Sequence, residues 1–127
     1  MKNERMFLKC SICGNIAGMV EDAGPTPVCC GQEMAQLTPN TTDAALEKHV
    51  PVAARKGGSI EVRIGAAPHP MTEEHHISWV VLAGKNKTQR ATLSHTGEPM
   101  VSFCVDSDEP VSVYAYCNLH GLWAAEV

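Results

Sequence analysis

Cys10, Cys13, Cys29 and Cys30 all fall within the first 30 residues of this 127-residue chain, in a stretch with little else to build a core from. Over residues 1–37 the large apolar side chains are Met6, Phe7, Leu8, Ile12, Ile16, Met19, Val20, Val28, Met34 and Leu37. So short a segment cannot bury enough surface to offset its ordering entropy unless a metal or a partner staples it. Disulfides are a poor staple here. Met1-Lys2-Asn3-Glu4-Arg5 has no apolar stretch behind it like that of a secretory signal, which predicts a cytoplasmic protein with reduced thiols. Adjacent α-carbons also stand only ~3.8 Å apart, shorter than the usual disulfide span, which disfavours a bridge between Cys29 and Cys30.

Metal ligation is the leading explanation. Cys10-Ser11-Ile12-Cys13-Gly14 forms a knuckle in which two thiolates three positions apart curl around one ion, and Gly14 permits the tight backbone that follows. Cys29-Cys30-Gly31 supplies the other pair if the chain turns there. Four thiolates suit tetrahedral zinc or iron, and the residues alone do not choose between them. A plain zinc ribbon would repeat the two-residue gap in its second pair, and this chain does not.

Past Leu37 the pattern changes. Thr38-Pro39-Asn40-Thr41-Thr42 reads as a linker, giving a four-cysteine domain over 1–37 and a second domain over 38–127. Residues 43–48 read as a short helical turn capped by Thr41 or Thr42. From Gly57 onward come short runs with period-two alternation, over 59–64, 76–82, 89–94, 100–105, 111–116 and 122–127, separated by turn-like stretches such as Thr96-Gly97-Glu98-Pro99. This predicts a mostly β chain whose larger domain is an immunoglobulin-like β-sandwich, with a small barrel as the competing architecture. No apolar run approaches the ~20 residues of a membrane helix. Ten Lys and Arg against 14 Asp and Glu, a net charge of −4, argue against a nucleic-acid partner, since no basic surface is available to neutralise phosphates.

A second group of ligand-type residues lies in the β region: His49, His69, His75, His76, Cys117 and His120. Imidazoles with a thiolate suit iron, zinc or copper. The period of two puts Cys117 on the face of Val111, Val113 and Ala115, so its thiol is expected to point inward, and His120 can curl back to the same ion at the Gly121 turn. The same parity groups His75 with Ile77, Trp79 and Val81, and leaves His76 outside with Ser78 and Val80. Pro68 and Pro70 hold His69 in an extended loop. Pro51 does the same for Val50, so that Glu47 and His49 would share a face with Lys48 pointing away. His95 reads as an ordinary surface or core histidine and Cys104 as a packed free thiol.

Taken together these residues resemble a known family. Cys10-x2-Cys13, adjacent Cys29-Cys30, Glu47-Lys48-His49, His69-Pro70-Met71 with His75, and Cys117-Asn118-Leu119-His120-Gly121 are similar, in this order and over nearly the whole chain, to desulfoferrodoxin, the two-iron class of superoxide reductase. The resemblance implies a desulforedoxin-like, rubredoxin-type lobe with iron on Cys10, Cys13, Cys29 and Cys30, followed by an immunoglobulin-like sandwich carrying the active iron. That iron, ferrous in the active state, would be held by His49, His69, His75 and His120 with Cys117 on the axis. His76 stands where the family commonly has tyrosine.

The activity so implied is one-electron reduction of superoxide to hydrogen peroxide. Lys48 is the candidate for attracting the anion against the overall negative charge and for orienting water, and Glu47 the candidate sixth ligand of the oxidised site. The four-cysteine centre would have a structural or electron-transfer role. The family further implies a homodimer and a donor such as rubredoxin. Two other readings are a non-enzymatic two-iron electron carrier, which differs in lacking an accessible open position, and a zinc-stabilised interaction module.

Overall fold

A computed structural model describes residues 5–127; the first four residues, part of the leader argument above, lie outside the described residues. Contacts divide the chain into two compact units, residues 1–38 and 39–127. No helix among the described residues is long and apolar enough to cross a membrane.

The first unit holds β1 (Phe7–Lys9), β2 (Ile16–Gly18), β3 (Val28–Cys29), β4 (Gln32–Glu33) and β5 (Ala35–Gln36). Strand β1 lies between β2 and β5, antiparallel to both, while β3 and β4 form a separate hairpin. Leu8, Cys10 and Met34 form a buried cluster with Ala17, Met19 and Cys29 packed against it, and Phe7 is buried as well. The hairpin explains the adjacent cysteines. Cys29 pairs with Gln32 across a two-residue loop, and both loop residues, Cys30 (φ 53) and Gly31 (φ 78), have the positive φ of a type I′ turn. One cysteine therefore ends a strand and the next makes the turn, so neighbouring thiols leave the backbone in different directions.

The second unit opens with a single helical turn, α1 (Leu46–His49), followed by β6 (Pro51–Lys56), β7 (Ser59–Ile64), β8 (Ile77–Ala83), β9 (Thr88–Thr92), β10 (Met100–Cys104), β11 (Ser112–Cys117) and β12 (Gly121–Glu126). Two antiparallel sheets, in the orders β10-β7-β6 and β12-β11-β8-β9, make the expected sandwich. Alternate residues of β7 (Ile60, Val62, Ile64) and β11 (Val113, Ala115, Cys117) meet Ile77, Val80, Leu82, Phe103 and Val111 in one core.

Three local expectations are corrected. Strand β6 was not expected before Gly57; it pairs along its whole length with β7 through the Gly57-Gly58 turn, and Pro51 is tolerated because it is the first residue of a strand at the sheet edge. The helical turn starts at Leu46 with Ala45 as N-cap and no side-chain cap, so neither Thr41 nor Thr42 caps it. It runs through His49, which replaces the extended parity expected there: His49 is buried while Glu47 and Lys48 are both exposed. The third correction is on β8. Ile77 pairs with Cys117 but Trp79 pairs with Tyr116, which leaves Ser78 as the extra residue of a β-bulge. The bulge flips the alternation, so Val80 and Leu82 join Ile77 in the core, and Trp79 instead stacks on Tyr116 with ring centroids 5.4 Å apart.

Candidate metal centres

In the first unit the knuckle folds the backbone around Cys10. Its Sγ accepts N–H bonds from Ile12 and Cys13, each 3.4 Å long, while Gly14 N–H closes the turn onto Cys10 O at 3.0 Å. These amide donors, Cys13 first and then Ile12, lower the Cys10 thiol to about 6. The neighbouring thiols act the other way on the second pair: Cys13, Cys10 and Cys29 push Cys30 up to about 12, and Cys29 is raised chiefly by Cys13. One thiolate forms easily and the next are opposed, a conflict that a bound cation removes. The four sulfurs lie within 4.8 Å of one another, with Cys13 and Cys29 at 3.6 Å and Cys29 and Cys30 at 4.0 Å. Four sulfurs held about 2.3 Å from one ion in a tetrahedron stand about 3.8 Å apart, so the donor set fits a single tetrahedral metal. Cys10 is buried, whereas Cys13 and Cys30 reach the surface.

The second centre gathers at one end of the sandwich, and each part arrives by a different route. His49 ends α1; His69 follows β7 in a loop; His75 lies two residues before the bulged start of β8; Cys117 ends β11 and His120 lies in the loop before β12. His49 Nδ1–H donates to Ala45 O at 2.7 Å and His69 Nδ1–H to Pro70 O at 2.7 Å. A carbonyl can only accept, so in both rings the proton sits on Nδ1 and the lone pair on Nε2. His75 is set by a tight turn, its N–H donating to Thr72 Oγ1 at 3.1 Å and its carbonyl accepting from Thr72 N–H at 2.9 Å. Asn118 then clips this turn to the Cys117 loop, accepting from His76 N–H at 2.8 Å and donating to Glu74 O at 2.9 Å.

The four imidazoles form a closed quadrilateral. Successive ring centroids, His49 to His69, His69 to His75, His75 to His120 and His120 to His49, are 4.6, 4.6, 5.1 and 4.9 Å apart, each pair edge to face, while His49 and His75 face each other across it at 6.2 Å. His49, His69, His75 and Cys117 offer donor atoms within 4.8 Å of one another. His120 completes the ring, with its Nδ1 3.1 Å from His49 Nε2 and 3.8 Å from Cys117 Sγ. Two nitrogens held about 2.1 Å from a common ion at right angles stand about 3 Å apart, close to the first of these distances.

Electrostatics agrees with the geometry. The Nε2 atoms of His69 and His75 are buried without a hydrogen-bond partner, an expensive arrangement unless something else takes their lone pairs. Burial lowers the pKa of His49 and His75 and takes His69 down to about 4, which keeps the rings neutral and ligand-ready. Burial also raises the Cys117 thiol, so the thiolate needs a cation beside it. Imidazole nitrogens with one thiolate sulfur are a donor set that fits iron.

Other expected residues sit elsewhere or farther out. His76 lies outside the ring, donating Nδ1–H to Thr72 O at 2.9 Å and facing His95 at 5.9 Å between centroids. Cys104 is exposed on β10 rather than packed inside, because alternation on that strand turns Phe103 to the core. Glu47 and Lys48 are exposed on α1; the Lys48 charge is nonetheless felt at both His49 and His75, where it helps depress the pKa. Trp123, fully buried against His49, is not among the residues that the local sequence pattern singles out. The register offered a signal: a three-residue loop pairs Cys117 with Gly121, which pairs Ala115 with Trp123 and so puts the indole on the inward face.

A cysteine-only lobe followed in sequence by a β-sandwich with a ring of imidazoles and a buried thiol defines a two-centre metalloprotein. Comparison with known proteins agrees over both units. Residues 41–126 match the family described as Desulfoferrodoxin, and residues 2–37 match Desulfoferrodoxin, N-terminal domain. The chain belongs to the desulfoferrodoxin family. It is 44% identical to a desulfoferrodoxin homolog of Archaeoglobus fulgidus over 115 residues, 91% of each chain. It is 38% identical to the desulfoferrodoxin of Nitratidesulfovibrio vulgaris over 126 residues, 99% of each. Among solved structures, the superoxide reductase from Treponema pallidum superposes with a TM-score of 0.76 at 36% identity, covering 93% of this chain and 98% of that one. A one-iron superoxide reductase from Giardia intestinalis covers 64% of this chain and 97% of its own, with a TM-score of 0.58 at 35% identity.

Proposed function

We propose that this protein is a superoxide reductase, reducing superoxide by one electron to hydrogen peroxide at an iron site in the β-sandwich. The observation that supports this most directly is the closed ring of His49, His69, His75 and His120 beside the buried Cys117, with the Nε2 atoms of His69 and His75 left without partners. We assign those five residues as the ligands of one iron, and Cys10, Cys13, Cys29 and Cys30 as the ligands of a second. When bound, the histidine-site iron supplies a one-electron couple and an accessible position for a small anion.

The residues do the rest. Neutral imidazoles leave the Cys117 thiolate as the ring's one anionic donor, which enriches electron density at the site. Lys48, exposed one residue before His49, attracts superoxide locally although the whole protein carries a net charge of −4, and it orders the water that delivers protons. Glu47 is the carboxylate we assign to the oxidised site. The stoichiometry is one superoxide, one electron and two protons from solvent per hydrogen peroxide.

The same reading includes the division into domains 1–37 and 38–127, a cytoplasmic location, a homodimer, and an electron donor such as rubredoxin. Family membership and the reduced-thiol chemistry of both centres support it.

The test is to measure metal content per chain and then peroxide formed per superoxide consumed by the pre-reduced protein. Two irons and one peroxide per superoxide agree with the proposal. One peroxide per two superoxides with oxygen released would indicate dismutation, and one zinc without iron would remove the redox mechanism.

A further inference from the structure

Gly65 sits where the turn after β7 crosses the backbone of α1. Its φ is +87°, and a Cβ built on it would fall 2.7 Å from both C and O of Lys48 and against Ala67 O. Side-chain atoms essentially never approach backbone that closely, and here the neighbours are backbone atoms with no freedom to swing away. Two hydrogen bonds run across the same crossing: Ala67 N–H to Glu47 O at 2.9 Å and Gly65 N–H to Val50 O at 3.2 Å. A third, His69 N–H to Ile64 O at 3.2 Å, closes the turn that delivers His69. Residues 47–50 and 65–69 are thus clasped backbone to backbone, and only a residue without a side chain lets them approach.

We infer that Gly65 is a positioning residue for superoxide capture: the close backbone crossing that its missing side chain allows fixes Glu47 and Lys48 relative to the imidazole ring. The inference rests on the role proposed above for Lys48 but has a structural content of its own. α1 is a single turn, capped by no side chain, with Leu46, Glu47 and Lys48 all exposed. So short a helix cannot hold itself in place. The burial of His49, the paired start of β6 and the clasp restrain it. Pushing the two backbones apart displaces the ammonium group of Lys48 from the anion's approach, while His75, His120 and Cys117 stand on elements outside the clasp.

Gly57 provides an internal control. It also has positive φ, +61°, but a Cβ there meets nothing within 4 Å. Gly57→Ala therefore introduces backbone strain alone, and Gly65→Ala introduces strain plus displacement.

The experiment compares both variants, Lys48→Ala and the double variant Gly65→Ala/Lys48→Ala as iron-loaded proteins. Hydrogen exchange read by mass spectrometry is the first measurement. Gly65→Ala is expected to speed exchange in peptides covering 46–50 and 65–69, leaving β8 and β11 unchanged, while Gly57→Ala leaves all of these as in the parent. The second measurement is the rate constant for superoxide across ionic strength. Gly65→Ala is expected to lower it about threefold or more with a flatter salt dependence, and the double variant to be no slower than Lys48→Ala.

Unchanged exchange at both segments in Gly65→Ala would overturn the positioning role whatever Lys48 does. A normal rate in Gly65→Ala, or losses that multiply in the double variant, would overturn its action through Lys48. A normal rate in Lys48→Ala would instead remove the steering role of Lys48, while the exchange data still decide the clasp. If Gly65→Ala does not fold, replacing Ala67 with lactic acid removes the N–H donated to Glu47 O without adding a side chain. The same exchange and salt effects are then expected, and their absence would overturn the proposal.

Discussion

The indole of Trp123 lies stacked on the imidazole of His49, ring centroids 4.9 Å apart and planes 29° from parallel, while its Nε1–H donates to His120 O at 3.1 Å. One fully buried side chain on β12 therefore braces two of the four imidazoles, one through its face and the other through the backbone that carries it. Rigid second-layer support of this kind orients metal ligands.

Replacing Trp123 separates the two contacts. Trp123→Phe keeps an aromatic face but loses the N–H, and is expected to cost about 1 kcal/mol. Trp123→Ala also opens a cavity and is expected to cost about 3–5 kcal/mol. Urea denaturation of the metal-loaded proteins measures both; equal losses in the two variants would show that the stacked face contributes nothing.

Lys48→Ala is expected to slow superoxide capture and to weaken its dependence on ionic strength, because Lys48 is the local cation on an anionic protein. Pulse radiolysis at several salt concentrations reads the effect. An unchanged second-order rate constant across that range would sink the steering role.

Glu47→Ala is expected to alter the absorption spectrum of the oxidised protein while largely keeping turnover. Exposure of Glu47 on α1 leaves the change without a large packing cost. An unaltered spectrum would count against ligation by this carboxylate.

Cys117→Ser is expected to remove the thiolate-to-iron absorption band and most activity. Cys117 is fully buried with its thiol pushed up by that burial, so only a cation beside it makes the thiolate favourable. A variant that keeps both band and activity would show that the thiolate is not bound.

Cys13→Ser is expected to loosen the first unit alone, since the buried core among its described residues is small, Phe7, Leu8, Cys10 and Met34, while the sandwich has its own. Hydrogen exchange should rise in residues 6–36 and stay unchanged in β7, β8 and β11. Full protection of the first unit without its metal would mean the thiols do not staple it.

Several features were legible in the chain itself. Local chemistry carried them: thiols too many for so poor a core, the Cys10 and Cys13 spacing that a knuckle needs, and the alternation that turns Cys117 inward with Val113 and Ala115. These depend on residues a few positions apart, where spacing alone fixes direction. The parity of β8 failed at Ser78 because a bulge is a property of two paired strands, and neither sequence announces it. The Thr41 or Thr42 cap failed for a related reason: α1 is held by its crossing with the turn after β7, so it does not need a side-chain cap.

By itself, then, the sequence determined the kinds of donor atoms, their grouping into two sets and the β character of the larger unit. Tertiary structure alone decided that the four imidazoles close into a ring, that Trp123 braces it and that Gly65 clasps the segment bearing Lys48. Those relations join residues 49, 65, 69, 75, 120 and 123, and only the pairing of the strands between them brings such distant positions within van der Waals reach.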